Sequence, residues 1–81
     1  MKFIYTPHFK RDFKSLPQEI RKKFKKQARF LLKDLRHPSL RAKKYDEKRN
    51  IWQGRVNRNY RFYFLIKGKT YILLEIKPHP K

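Results

Sequence analysis

The chain has 81 residues, of which 24 are Lys or Arg and 6 are Asp or Glu, giving a formal net charge of +18 with the histidines neutral. A chain this short hides only about 60% of its unfolded surface, which excludes a multidomain enzyme or a deep cofactor cleft and leaves one domain spanning residues 1–81. Zero cysteines exclude a disulfide framework, a thiolate zinc site and a cysteine nucleophile, while 38% hydrophobic and 16% aromatic residues place the charge on a folded chain rather than a disordered tail.

Lys2 to Thr6 alternates around Phe3 and Tyr5 and stops at Pro7, which predicts a short opening strand. Phe9, Phe13 and Leu16 fall at helical spacing, so a first helix is expected from His8 to Leu16. Ser15 and Gln18 have capping-box spacing, Pro17 suits a first turn, and Glu19 favours the positive end of a helix dipole, so a second helix is expected with Ser15 as its cap. Along that helix Ile20, Phe24, Ala28, Leu31 and Leu35 form an apolar stripe, and Arg21, Lys22, Lys25, Lys26, Arg29 and Lys33 crowd the remaining circumference. Pro38 ends the helix, because the residue before a proline avoids the helical region, and HPSLRAKKYDEKRN reads as a polar, basic loop. Strands are then expected over Ile51 to Asn57, Tyr60 to Ile66 and Thr70 to Lys77, joined by turns into a three-stranded meander.

Side-chain alternation sharpens the meander. With Tyr60, Phe62, Phe64 and Ile66 on one face together with Trp52, Val56, Ile72, Leu74 and Ile76, the even positions form the buried face. Three-residue loops Asn57-Arg58-Asn59 and Lys67-Gly68-Lys69 keep those faces matched, setting Phe64 opposite Ile72 and Val56 opposite Tyr60. The odd face then carries Arg55, Arg61, Tyr63, Tyr71, Glu75, Lys77 and His79, with Arg55 across from Arg61 and Arg61 across from Glu75. Two arginines facing one another are unfavourable unless an anion lies between them, which reads as a phosphate site.

The excess positive charge points to a polyanionic partner, nucleic acid or a strongly acidic protein. No apolar run approaches membrane-spanning length and the N-terminus lacks a signal-peptide pattern, so a cytoplasmic protein without membrane contact is expected. Asp12, Glu19, Asp34, Asp46, Glu47 and Glu75 are the whole set of carboxylates, and the histidines at 8, 37 and 79 have no ligand spacing, so neither a metal nor a cofactor is expected. What remains is metal-free phosphate chemistry. An RNA 2'-hydroxyl is itself a nucleophile, so a protein need only align it, stabilise charge on the phosphorane with Arg or Lys, and move protons.

HPSLRAKKY and IWQGRVNRNYRFYFLIKGKTYILLEIKPH, following FKSLPQEIRKKFKKQ, resemble the RelE/ParE superfamily of toxins from type II toxin–antitoxin systems. The resemblance covers nearly the whole chain, and NYRF within Trp52 to Phe62 is its most specific part. It implies an α+β, microbial-RNase-like fold with a helical hairpin packed on an antiparallel sheet, and commonly a toxin that cleaves mRNA on the ribosome and is held by a cognate acidic antitoxin. On that resemblance Arg61 matches the arginine of the NYR segment, Arg55 a basic residue on the preceding strand, and His79 a C-terminal catalytic position; Lys43 and Lys44 lie where some members carry basic or general-base residues. Many ribonuclease members carry a tyrosine after the histidine position, whereas here Pro80 and Lys81 follow. Gyrase-directed toxins that are not nucleases belong to the same superfamily. The expected site is therefore Arg55, Arg61 and His79 for catalysis, with Lys22, Lys26, Lys43, Lys44, Arg58 and Lys77 gripping RNA, and a non-catalytic gyrase-directed toxin or an RNA-binding accessory protein as the alternatives.

Overall fold

A computed structural model of the chain describes residues 1–79. Strand β1 (Lys2–Tyr5) leads into helices α1 (Pro7–Lys14) and α2 (Gln18–Lys33), then a 3₁₀ turn (Pro38–Leu40), β2 (Lys43–Asp46), β3 (Ile51–Arg55), β4 (Tyr60–Lys67) and β5 (Thr70–Pro78). The strands form one five-stranded sheet in the order β1-β5-β4-β3-β2. All neighbours are antiparallel except β1, which lies parallel to β5. The fold is the expected α+β arrangement of two helices and a C-terminal meander.

The apolar stripe of α2 buries Phe24, Ala28 and Leu31 and partly buries Ile20, and it packs with Phe9 of α1 on Phe62, Phe64 and Ile76 of the sheet. Phe24 meets Phe62 edge-on at 5.3 Å between ring centroids and Phe9 lies 5.3 Å from Phe24, so an aromatic ladder links both helices to β4. The ring of Phe62 lies across Gly54, its cross-strand partner, at a distance that leaves no room for a β-carbon.

Three local expectations are corrected. Ser15 does not cap α2: it closes α1, its hydroxyl donating to Asp12 O at 2.9 Å, and Pro17 occupies the α2 N-cap position without a side-chain bond. The three-residue gap between the helices leaves Ser15 nearer the orphan carbonyls of the first helix than the amides of the second. The basic loop also contains β2, an edge strand short enough to look like loop because only four residues alternate there.

The third correction concerns register. Leu74 is an extra residue in β5: Tyr63 pairs with Glu75 but Phe64 pairs with Leu73, so Phe64 does not face Ile72. Before this bulge the buried residues of β5 are Tyr71 and Leu73; after it the buried residue is Ile76. The turn joining β4 and β5 is two residues long, with Gly68 at φ 57 in its first central position, a conformation that glycine adopts without strain. Thr6 anchors the bulge. Its amide donates to Leu73 O and its hydroxyl to Leu74 O, both at 3.2 Å, while the same hydroxyl caps α1 by accepting from Phe9 N. The shift moves Glu75 away from Arg61 and brings Lys77 opposite it.

Candidate functional site

Arg55 and Arg61 are direct cross-strand partners on β3 and β4, as the alternation predicts. Their neighbours Val56 and Phe62 are fully buried against the helices, so the alternation keeps Arg55 and Arg61 out of the core. With Lys77 on the far side of Arg61, three cations stand in a row across three strands. Arg61 has no carboxylate partner among the described residues; its Nη1 donates to the carbonyls of Asn57 at 2.6 Å and Tyr60 at 3.0 Å, with Arg58 O at 3.4 Å. Burial, then the charge of Arg55, and also that of Arg41, depress the Arg61 pKa against an opposing contribution from Tyr63. A guanidinium remains protonated in a protein, so Arg61 keeps its charge although it is partly desolvated and stands near two other arginines.

Glu75, expected beside Arg61, is engaged elsewhere: Lys77 Nζ lies 3.1 Å and His8 Nε2 3.4 Å from its carboxylate. The hydrogen bond to Glu75 is the main reason the Lys77 pKa is raised, and the ammonium also lies 5.3 Å from the centre of the Tyr63 ring. Tyr63 is buried, accepts from Gln53 Nε2 at 3.2 Å, and meets the ring of Tyr45 edge-on at 4.8 Å. Tyr45 itself is 55% exposed, an aromatic surface on the arginine-bearing side of the sheet.

His79 extends the β4–β5 ladder one step beyond Pro78, its amide donating to Asn59 O at 2.7 Å. That bond fixes its backbone beside the β3–β4 hairpin, in the same alternation as Lys77, and its side chain is exposed. Pro80 and Lys81 lie outside the described residues. Lys22 and Lys26 are exposed along α2. Lys43 and Lys44 separate: Lys43 stands opposite Gln53 on the outer face, whereas Lys44 stands opposite Trp52, its Nζ 5.3 Å from the Trp52 ring centre and bonded to Asn50 Oδ1. Arg58 sits exposed in the hairpin loop next to the arginine pair.

Sequence reasoning missed Gln27, Lys23 and Arg41. Gln27 is buried to 1% exposure; its Nε2 donates to Ser39 O at 3.0 Å and Arg55 O at 2.8 Å, and its Oε1 accepts from Ser39 Oγ at 3.0 Å. A lone polar residue three positions after Phe24 and four before Leu31 is a signal that could have found it. Lys23, one turn earlier, shares its side of the helix. Together with Ser39, Arg41, Arg55, Asn57 and Arg58 it lines an open cleft of about 450 Å³. A second concavity of about 540 Å³ is apolar, floored by Tyr5, Phe9, Phe13 and Phe24 with Lys10 and Lys25 at its edge.

His8, Asp12 and Glu75 also converge, their ligating atoms all within 4.8 Å of one another, a grouping with the donor types for a divalent cation that the histidine spacing had not suggested. Arg11 contacts His8 Nδ1 at 2.9 Å and can only donate, so Nε2 carries the proton and turns it to the two carboxylates. The trio acts as a hydrogen-bonded clamp between α1 and β5.

Over residues 3–80 the sequence matches the family described as the ParE toxin of type II toxin–antitoxin systems, parDE. The chain belongs to this family. No curated protein matches the sequence. Among solved structures, the YoeB/ParE toxin from Agrobacterium tumefaciens superposes with a TM-score of 0.82 at 14% identity, covering 99% of this chain and 100% of that one. The toxin of the RelB–RelE complex from Methanococcus jannaschii gives 0.76 at 25% identity over 93% of this chain and 88% of that one. That of the YoeB–YefM complex from Staphylococcus aureus gives 0.79 at 13% identity over 96% and 95%. These likenesses establish the fold of a ParE-family toxin. No helix among the described residues is long and apolar enough to cross a membrane.

Proposed function

We propose that this toxin is a metal-independent, ribosome-dependent mRNA endonuclease of the cytoplasm, neutralised by a cognate acidic antitoxin. The observation that carries this reading is the Arg55–Arg61 pair: two guanidinium groups facing one another across adjacent strands, with no acid between them. Such a pair can hold the scissile phosphate and stabilise negative charge as it develops on the phosphorane. The 2'-oxygen attacks phosphorus, giving up its proton, and the bond to the 5'-oxygen breaks as that oxygen gains one, leaving a cyclic phosphate and a 5'-hydroxyl. His79 is the proton-transferring group of this scheme, since an imidazole nitrogen can both accept and donate a proton. Lys22, Lys26, Lys43, Lys44, Arg58 and Lys77 supply electrostatic attraction for mRNA and ribosomal RNA.

The antitoxin reading gains support from the apolar groove rimmed by Lys10 and Lys25, which suits an amphipathic acidic segment. Relatives of the same fold were solved as complexes with RelB and YefM. A second reading, a gyrase-directed toxin that binds without cleaving, draws on the ParE family match. Primer extension on translated mRNA after induction separates the two. Cuts in phase with codons are expected; intact mRNA with loss of DNA supercoiling would replace this reading with the second.

A further inference from the structure

The cleft beside the arginine pair is built from three separate segments. Lys23 comes from α2, Arg41 from just beyond the 3₁₀ turn, Arg55 from the end of β3 and Arg58 from the hairpin loop, and no carboxylate lines it. Surface cations spread apart when nothing holds them together, because like charges in one concavity raise its potential. Here the backbone holds them. Buried Gln27 donates to the carbonyls of Ser39 and Arg55 and so ties down the two segments from which Arg41 and Arg55 emerge. Arg41 has φ 46, a left-handed conformation that is costly for any residue with a β-carbon and that local structure must impose.

We propose that this cleft is a second phosphate subsite, which seats a backbone phosphate of the RNA strand adjacent to the phosphate held by Arg55 and Arg61. The proposal rests on the nuclease reading for which strand is bound, and Arg55, which lines the cleft and faces Arg61, joins the two positions. Charge from Arg41 reaches Arg61 as well, so the two positions lie in one continuous field of positive charge. A nucleic-acid strand suits the cleft better than an acidic protein does. Ser39 and Asn57 line it with polar groups, and the apolar floor that an amphipathic protein segment needs lies in the separate groove of Tyr5, Phe9, Phe13 and Phe24. Occupying two consecutive phosphates would also fix the strand's direction, aligning the 2'-hydroxyl with the bond to be broken.

The test measures binding of a fully 2'-O-methylated RNA hexanucleotide, which cannot be cleaved by 2'-attack, as a function of salt. The variants are Arg41→Gly, whose backbone tolerates φ 46, and the pair Lys23→Gln with Arg58→Gln. Each lost phosphate contact should flatten the dependence of log K on log salt by about 0.7 for a single strand and weaken binding several-fold at low salt. Inorganic phosphate and polyglutamate of matched charge should compete only weakly. Unchanged affinity and slope in both variants would overturn the subsite, even for a toxin that cuts mRNA on the ribosome. Competition by inorganic phosphate or polyglutamate at the concentrations at which RNA binds would overturn it too, in favour of a free anion or an acidic protein. Loss of RNA affinity in the variants of a toxin that leaves cellular mRNA intact would uphold the subsite while the nuclease reading falls.

Discussion

At the scale of single residues, Arg61 is held by carbonyl oxygens of its own hairpin rather than by an acid, which fixes its position while leaving its charge available. Arg61→Ala should therefore lower cleavage by about 10²-fold or more with little change in the unfolding midpoint, because Arg61 lies outside the core and Tyr60 O keeps its bond from Val56 N. Arg61→Lys should recover little, since an ammonium cannot reproduce the planar fork. Wild-type cleavage by Arg61→Ala would remove the phosphate-holding role. His79→Gln should likewise reduce cleavage by about 10²-fold, with ribosome binding retained. The bond from His79 N to Asn59 O survives that change because it uses only the backbone. Equal rates for the variant and wild type would take His79 out of the mechanism.

At the scale of elements, both helices, the meander and the Arg55–Arg61 pairing were legible, because apolar period and strand alternation are local properties of the sequence. The Arg61–Glu75 pairing was not. It failed at Leu74, where a bulge breaks the alternation, and the group that stabilises the bulge is Thr6, far away in sequence. The role of Gln27 was equally non-local, since its partners Ser39 and Arg55 come from two other elements. Gln27→Leu should destabilise the fold by about 1–3 kcal/mol, because it strands buried backbone carbonyls; a urea midpoint equal to wild type would show that Gln27 is dispensable. Gly54 carries a complementary test. A β-carbon there would clash with the Phe62 ring, so Gly54→Ala should lower stability by roughly 1–3 kcal/mol. Phe62→Leu should cost less in the Gly54→Ala background than in wild type, a coupling that a double-mutant cycle reads directly.

At the scale of the whole molecule, the +18 charge is distributed over surfaces of two kinds, a polar cationic cleft next to Arg55 and an apolar groove edged by lysines. The charge was evident from composition, but its division between these surfaces depends on how α2 lies across the sheet. The polar side predicts a steep salt dependence of ribosome binding. Lys22→Gln with Lys26→Gln should flatten that slope without altering unfolding, as both side chains are exposed and lie off the apolar stripe. The apolar side predicts how the toxin is restrained. A small core gains most from a partner that buries apolar surface as it neutralises charge, so an acidic antitoxin should raise the toxin's unfolding temperature, and at about 1,000 times its Kd should add roughly 4 kcal/mol. Phe13 is half-buried at the groove and stacks on Phe9 at 6.0 Å. Phe13→Asp places a carboxylate where the partner's apolar side chains would sit, whereas Lys25→Gln removes only rim charge. The first should abolish co-purification with the acidic antitoxin at any salt, and the second should weaken it mainly by slowing association at low salt. If Phe13→Asp remains folded and still binds that protein at wild-type affinity, the groove is not where the antitoxin docks.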